Sequence, residues 1–102
     1  MNPGQNAIFV AMSRRTENEE SLLNIPGVGK SIAQDLQNIG IYKVSDLKGH
    51  DPHQLYDQSN SYAGCIQDRC LLYVFRLAVY YAETPNDKRE VEKLKWWNWK
   101  GK

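Results

Sequence analysis

The sequence predicts an all-α, single-domain bundle of about five helices. Apolar residues recur three and four apart in several segments, as the buried stripe of a helix requires. Helix punctuation falls between those segments: Pro26-Gly27, Asp51-Pro52 and Thr84-Pro85. The alternating pattern of a half-buried strand is almost absent. With 102 residues, 41% of them apolar and 25% charged, the chain is long enough for one core and short for a deep active site.

Taken in order, Thr16 and Glu19 resemble a capping box, which places a first helix over Glu17 to Asn24. Pro26 ends it, because the residue before a proline is pushed out of the α region. A second helix is expected from Lys30 to Asn38, with Ile32, Ala33, Leu36 and Ile39 on one face. Gly40 stops it and Ile41 folds back onto it. Val44 to Leu47 reads as a short turn. Asp51 as cap, Pro52 at the first position and Gln54 at the capping-box position open a helix that presents Leu55, Tyr56, Ser59 and Tyr62 and ends near Gly64.

The longest element is expected from Ile66 to Glu83 and is apolar on nearly every side. Arg69, Arg76 and Glu83 recur every seventh position, which predicts one solvated stripe on a buried helix. Asp68, Arg69 and Arg76 interrupt the run, which argues against a membrane span. After Thr84-Pro85, a last helix over Lys88 to Lys95 would lead into Trp96, Trp97 and Trp99.

The turn at residues 25 to 29, Ile-Pro-Gly-Val-Gly, is the most informative stretch. Its two glycines permit positive φ or close backbone approach, and it opens directly into a helix whose first amides lack intrahelical partners. Such an end suits a phosphate. Ile25, Gly27, Val28, Gly29 and Ala33 resemble the helix-hairpin-helix motif, a hydrophobic-x-Gly-hydrophobic-Gly core followed by a small residue facing the first helix. That resemblance implies a hairpin that grips the DNA backbone without reading bases, with a monovalent cation held by hairpin carbonyls in many members. In it, Gly27, Val28 and Gly29 would donate amides, Lys30 would add charge and Ser31 a hydroxyl. A Val at Gly29 is expected to clash in the turn. The bland alternative is a hairpin that serves only packing or protein docking.

Two enzymatic readings of the same residues fail on spacing. Gly29-Lys30-Ser31 matches the end of a P-loop, but the Gly required five residues before Gly29 is Asn24. Glycosylases that embed this hairpin place, in their lyase members, a Lys where this chain has Ser31, and they need a flipped-base pocket between subdomains. No catalytic residues are assigned, and the chain reads as non-enzymatic.

A wider resemblance follows from the whole chain. The hairpin, Asp46-Leu47-Lys48-Gly49, Asp51-Pro52 with Leu55-Tyr56, Asp68-x-Cys70, Leu72 to Arg76 with Ala78 to Tyr80, and Trp96-Trp97 with Trp99 resemble the small bacterial pathogenicity-locus family, also labelled mitomycin-resistance proteins. The resemblance covers about residues 20 to 100 and implies a helix-hairpin-helix bundle, compatible with a SAM-like architecture, and a connection to DNA. Residues 1–15 lie outside it and read as a flexible or peripheral segment, with the domain and its Trp-rich tail over 16–100. A second hairpin, usual for duplex binding, would fall between Val44 and Tyr62, but its turn is Lys48-Gly49-His50-Asp51 and lacks the two-glycine core.

Net charge is +1, which excludes coating of nucleic acid by bulk charge. Local charge is higher: residues 88–102 carry six basic and two acidic side chains, or +4. Lys95, Trp97, Trp99 and Lys100 are therefore candidate accessory contacts, with indoles stacking unpaired bases. Alternatively the tryptophans close the core. His50, His53, Cys65 and Cys70 fit no common zinc spacing, so no metal is assigned. Within one helix, Cys65 and Cys70 would lie about 7.5 Å apart in rise, too far for a disulfide. The apolar run Ala7 to Met12 is too short for a signal peptide, so the expected compartment is the cytoplasm. The partners expected are the DNA backbone or, in the rival reading, a protein or a second copy anchored on Trp97 or Trp99; no membrane is expected.

Overall fold

The computed structural model describes residues 20–100. These contain three α-helices, α1 (Lys30–Gln37), α2 (Pro52–Ala63) and α3 (Arg69–Glu83), joined by short 3₁₀ turns, with no strand among the described residues. The fold is all-α, with fewer α-helices than the five expected. The expected capping pair Thr16 and Glu19 lies outside the described residues. What precedes the turn is a single 3₁₀ turn, Leu22–Asn24, capped by Ser21, whose Oγ accepts the Leu23 amide at 3.2 Å. Ser21 is itself extended, so no helix runs through it.

At its C-terminus α1 closes by a Schellman motif. Gly40 adopts φ +92°, its amide donates to Gln37 O at 3.1 Å, and Ile41 donates to Leu36 O at 2.9 Å. Ile41 and Leu36 are both buried, the apolar contact that accompanies such an end. The turn Val44–Leu47 follows, tightened by Asp46, whose Oδ2 accepts the amides of Tyr42 and Lys43. Asp51 caps α2 by accepting the His53 amide at 2.9 Å, and Gly64 at φ +75° ends it. Leu55, Tyr56 and Ser59 are buried as expected, whereas Tyr62 is 66% exposed.

Helix α3 begins at Arg69, three residues later than the apolar pattern suggests, because Asp68 caps it through the Cys70 amide at 2.8 Å. Ile66 is left in solvent and Cys65 in the preceding loop. That loop is held by Gln67, whose backbone amide donates to Asn60 Oδ1 and whose Nε2 donates to the buried Ser59 hydroxyl. Buried residues run round α3 from Leu71 to Ala82, with Phe75, Leu77 and Ala78 fully enclosed. Helix α2, the Val44–Leu47 turn and the Trp96–Trp99 turn cover its different sides.

The chain after α3 forms 3₁₀ turns at Asn86–Lys88, Val91–Leu94 and Trp96–Trp99 instead of the expected helix. Tertiary bonds interrupt it: Arg89 is extended, donates to Tyr81 O from Nε and Nη2, and lies 3.6 Å over the Tyr81 ring, while the Glu90 amide donates to Tyr80 Oη. Val91, within that stretch, is 71% exposed. Arg76 is equally committed, donating to Trp99 O at 2.7 Å and to His53 Nε2 at 3.1 Å. Glu83 accepts the Gly49 amide at 2.8 Å. The seventh-position stripe is exposed at Arg69 and Glu83 and half-buried at Arg76, and two of its three members tie segments together.

The two hairpin glycines differ in what they require. Gly27 has φ +86° and lies under Trp96, whose Cδ1 would be 3.4 Å from an added Cβ. Gly29 has φ −97°, ψ −170°, and an added Cβ meets no heavy atom within 4 Å. The expected clash at Gly29 is therefore corrected: its backbone suits any residue and the space is open. In urea titrations Gly27→Ala should cost about 1–3 kcal/mol through its positive φ, and Gly29→Ala should stay near wild type; equal losses would contradict this geometry.

Glu20 links the start of the described chain to the Val44–Leu47 turn, accepting the Ser45 amide at 3.1 Å, and hydrogen bonds from Ser45 lower its pKa below 4.5. A lowered carboxyl stabilises the fold above its unfolded value and loses that contribution as pH falls through the folded value. Asp35 has the opposite sign, since burial raises its pKa and its charge opposes folding as pH rises. Stability measured between about pH 3 and 6 should lose part of its rise in Glu20→Gln. Asp35→Asn should gain stability at neutral pH relative to wild type.

Candidate nucleic-acid interface

The turn between Leu22–Asn24 and α1 is anchored at both ends in the core. Ile25 is extended and 1% exposed, Pro26 fixes the next φ, and the Val28 amide closes the turn on Ile25 O at 3.0 Å. Val28 packs its side chain inward, and the Gly29 carbonyl accepts the first helical bond, from Ala33, at 2.9 Å. Among the described residues, no acceptor faces the amides of Gly27, Gly29, Lys30 or Ser31. The last three sit at the N-terminal end of α1, where the aligned peptide dipoles favour an anion. Lys30 and Ser31 are exposed, and Lys30 has no ion-pair partner among the described residues.

Four of the five expected contact residues therefore present a polar group to solvent, and one does not. The Val28 amide is spent inside the turn, so Val28 shapes the hairpin and donates nothing outward. The N-terminal part of α1 has no acidic residue in its first turn, but a carboxylate follows one turn later. Asp35, four residues after Ser31 on the same face, lines a cleft of about 480 Å³ with Gly27, Ile32, Cys70 and Trp96.

The tail reaches this turn, a contact that no sequence signal announces. Trp96 packs over Gly27 and holds Trp97 in an edge-on pair, with ring centres 5.8 Å apart at 87°. Lys100 Nζ lies 5.9 Å from the Trp96 ring centre. The four accessory candidates separate on this geometry. Trp97 is 52% exposed and Lys100 is exposed. Trp99 is committed to the core: its ring packs 5.5 Å from Tyr80 and its Nε1 donates to Lys93 O at 2.8 Å. Lys95 is paired with Glu92 at 3.2 Å.

The second turn is built for another purpose. Gly49, at φ +81°, gives its amide to Glu83, and Asp51 turns its carboxylate onto α2. A phosphate there would meet two carboxylates. The groups considered for zinc are dispersed in role: His53 accepts from Arg76, Cys65 is an exposed free thiol, and Cys70 is a half-buried free thiol whose pKa is raised by its bond to the Asp68 carboxylate and then by burial. Among the described residues no three metal-binding side chains come together, and no helix is long and apolar enough to cross a membrane.

Comparison with known proteins bears out the resemblance that the sequence suggested. Over 62 residues the chain is 36% identical to the mitomycin resistance protein McrB of Streptomyces lavendulae, a similarity spanning 61% of this chain and 59% of that protein. No solved structure matches. The family described as Pathogenicity locus, Cdd1, matches residues 15–102, and the chain belongs to that family.

Proposed function

We propose that the turn from Ile25 to Gly29 is the hairpin of a helix-hairpin-helix unit and that the protein is a non-enzymatic cytoplasmic binder of the DNA backbone with little sequence preference. The observation that carries this reading is the open face of the turn. Three amides, from Gly29, Lys30 and Ser31, that have no partner among the described residues lie at a helix start, with a lysine unpaired among those residues and a hydroxyl beside them. The open space over Gly29 admits close approach by a phosphate. The carbonyls of Pro26, Gly27 and Val28 accept no backbone amide among the described residues, which leaves them as the ligands a hairpin cation would use. A non-enzymatic role is supported by how the chemically capable groups are already employed: Asp51 and Asp68 cap helices and Glu83 holds Gly49.

A protein-docking role is the second reading. It is favoured by the groove beside the same turn, about 510 Å³, which Leu23 at 52% exposure and Tyr42 at 67% help to line. Mass that rises with concentration, with no shift of labelled DNA, would select it.

Fluorescence anisotropy of labelled DNA at several salt concentrations tests the first reading. Lys30→Ala should weaken all sequences alike and reduce the slope of log affinity against log salt by about one unit. An unchanged slope would remove Lys30 from the interface. Gly29→Val is the sharper probe, because its side chain enters open space and leaves the fold intact while covering the amides. Binding should fall below detection in a variant with wild-type thermal stability.

A further inference from the structure

We infer that the hairpin and the tail form one composite site for DNA that carries an unpaired base next to the gripped phosphate, with Trp97 as the stacking platform. The inference deepens the phosphate-clamp reading and rests on it. Its basis is the contact of Trp96 with Gly27, which brings the Trp-rich turn to the edge of the hairpin although the two are far apart in the chain. Trp96 is consumed by that contact and Trp99 by Tyr80 and Lys93, so each has a structural task. Trp97 has none of comparable extent. It is braced by Trp96 at 87° and leaves 52% of its surface in water, and the Trp96 that braces it is the residue that meets Gly27 of the hairpin.

The charge around this indole points to a nucleic acid over an apolar partner. Lys100 is exposed, with its Nζ 5.9 Å from the ring centre of Trp96, the indole that braces Trp97, and it has no carboxylate partner among the described residues. An aromatic face flanked by a cation and a phosphate-binding turn has the elements of a single-strand platform, where stacking acts on any base and the backbone is held electrostatically. A base in continuous duplex is already stacked and offers no free face. The composite site therefore selects a frayed end, fork or overhang. The single hairpin is consistent with that choice, because the second turn is closed by Glu83 and Asp51 and leaves little to span a duplex groove.

The test compares a blunt duplex with the same duplex carrying a short unpaired overhang, titrated by anisotropy against wild type, Trp97→Ala, Trp97→Phe and Lys30→Ala. The wild type should prefer the overhang. Trp97→Ala should lose roughly 10-fold on overhang DNA, the order expected for one stacked base, and change little on blunt duplex. Trp97→Phe should recover most of the loss, and Lys30→Ala should weaken both forms equally. Loss of the same size on both DNAs in Trp97→Ala, or none on either, overturns the composite site and leaves the clamp standing. A wild type that binds neither DNA overturns both. Unchanged DNA binding with altered self-association in Trp97→Ala would assign the indole to a protein contact and overturn the inference.

Discussion

A helix that is apolar all round must be covered all round, and the rest of this domain is arranged by that requirement of α3. Phe75, Leu77 and Ala78 are fully enclosed, and burying a side chain as large as Phe or Leu is worth about 1.5–3 kcal/mol. Helix α2 and the Val44–Leu47 turn cover only part of the surface. The remaining side is closed by chain that forms no α-helix of its own. Residues 86–99 are held by what they touch on α3 and its C-terminal end: Arg89 on Tyr81, Tyr80 on the Glu90 amide, Trp99 on Tyr80. The tail is folded by tertiary contact and contributes little local helix energy.

That solution has a consequence for the hairpin. Because the tail must lie along α3, its Trp96 meets the turn that precedes α1, and Gly27 is the residue that lets the indole approach. The positive φ of Gly27 and the cover over it are one feature seen from the backbone and from the side chain. Gly29 is free of both constraints, which leaves its side of the turn open. A single pair of glycines thus divides the labour, one taking the core contact and the other leaving a surface on which backbone amides are exposed.

Local signals made much of this legible. Gly40, Gly64, Asp51-Pro52 and the Val44–Leu47 turn act through residues within a few positions, so a linear reading recovers them. Asp68 was visible as a residue and missed as a cap, since the sequence places the apolar Ile66 ahead of it as an apparent start of the run, and the fold leaves Ile66 in solvent. The failures share a cause. The helix expected over Lys88 to Lys95 is displaced by bonds to Tyr80 and Tyr81, and the solvated stripe of α3 is drawn into ties by Trp99, His53 and Gly49. At the candidate site the turn residues were legible, but the role of Val28, the openness at Gly29 and the arrival of Trp96 depend on contacts that no sequence spacing encodes.

The weak net charge then becomes informative about how a nucleic acid would be chosen. A protein at +1 gains little from long-range attraction, and screening at physiological salt confines what remains to about 8 Å. Lys95 and Lys93 spend charge on Glu92 and Glu90, and Asp35 stands near the first turn of α1. What is left at the hairpin and the tail that meets it is a few directional donors, two lysines, Lys30 and Lys100, and one exposed indole. Such a surface cannot hold a uniform polyanion by charge alone. On the proposed clamp reading, affinity would have to come from geometry that matches a phosphate and a base face together, so the reading predicts discrimination among DNA structures more than strength of binding.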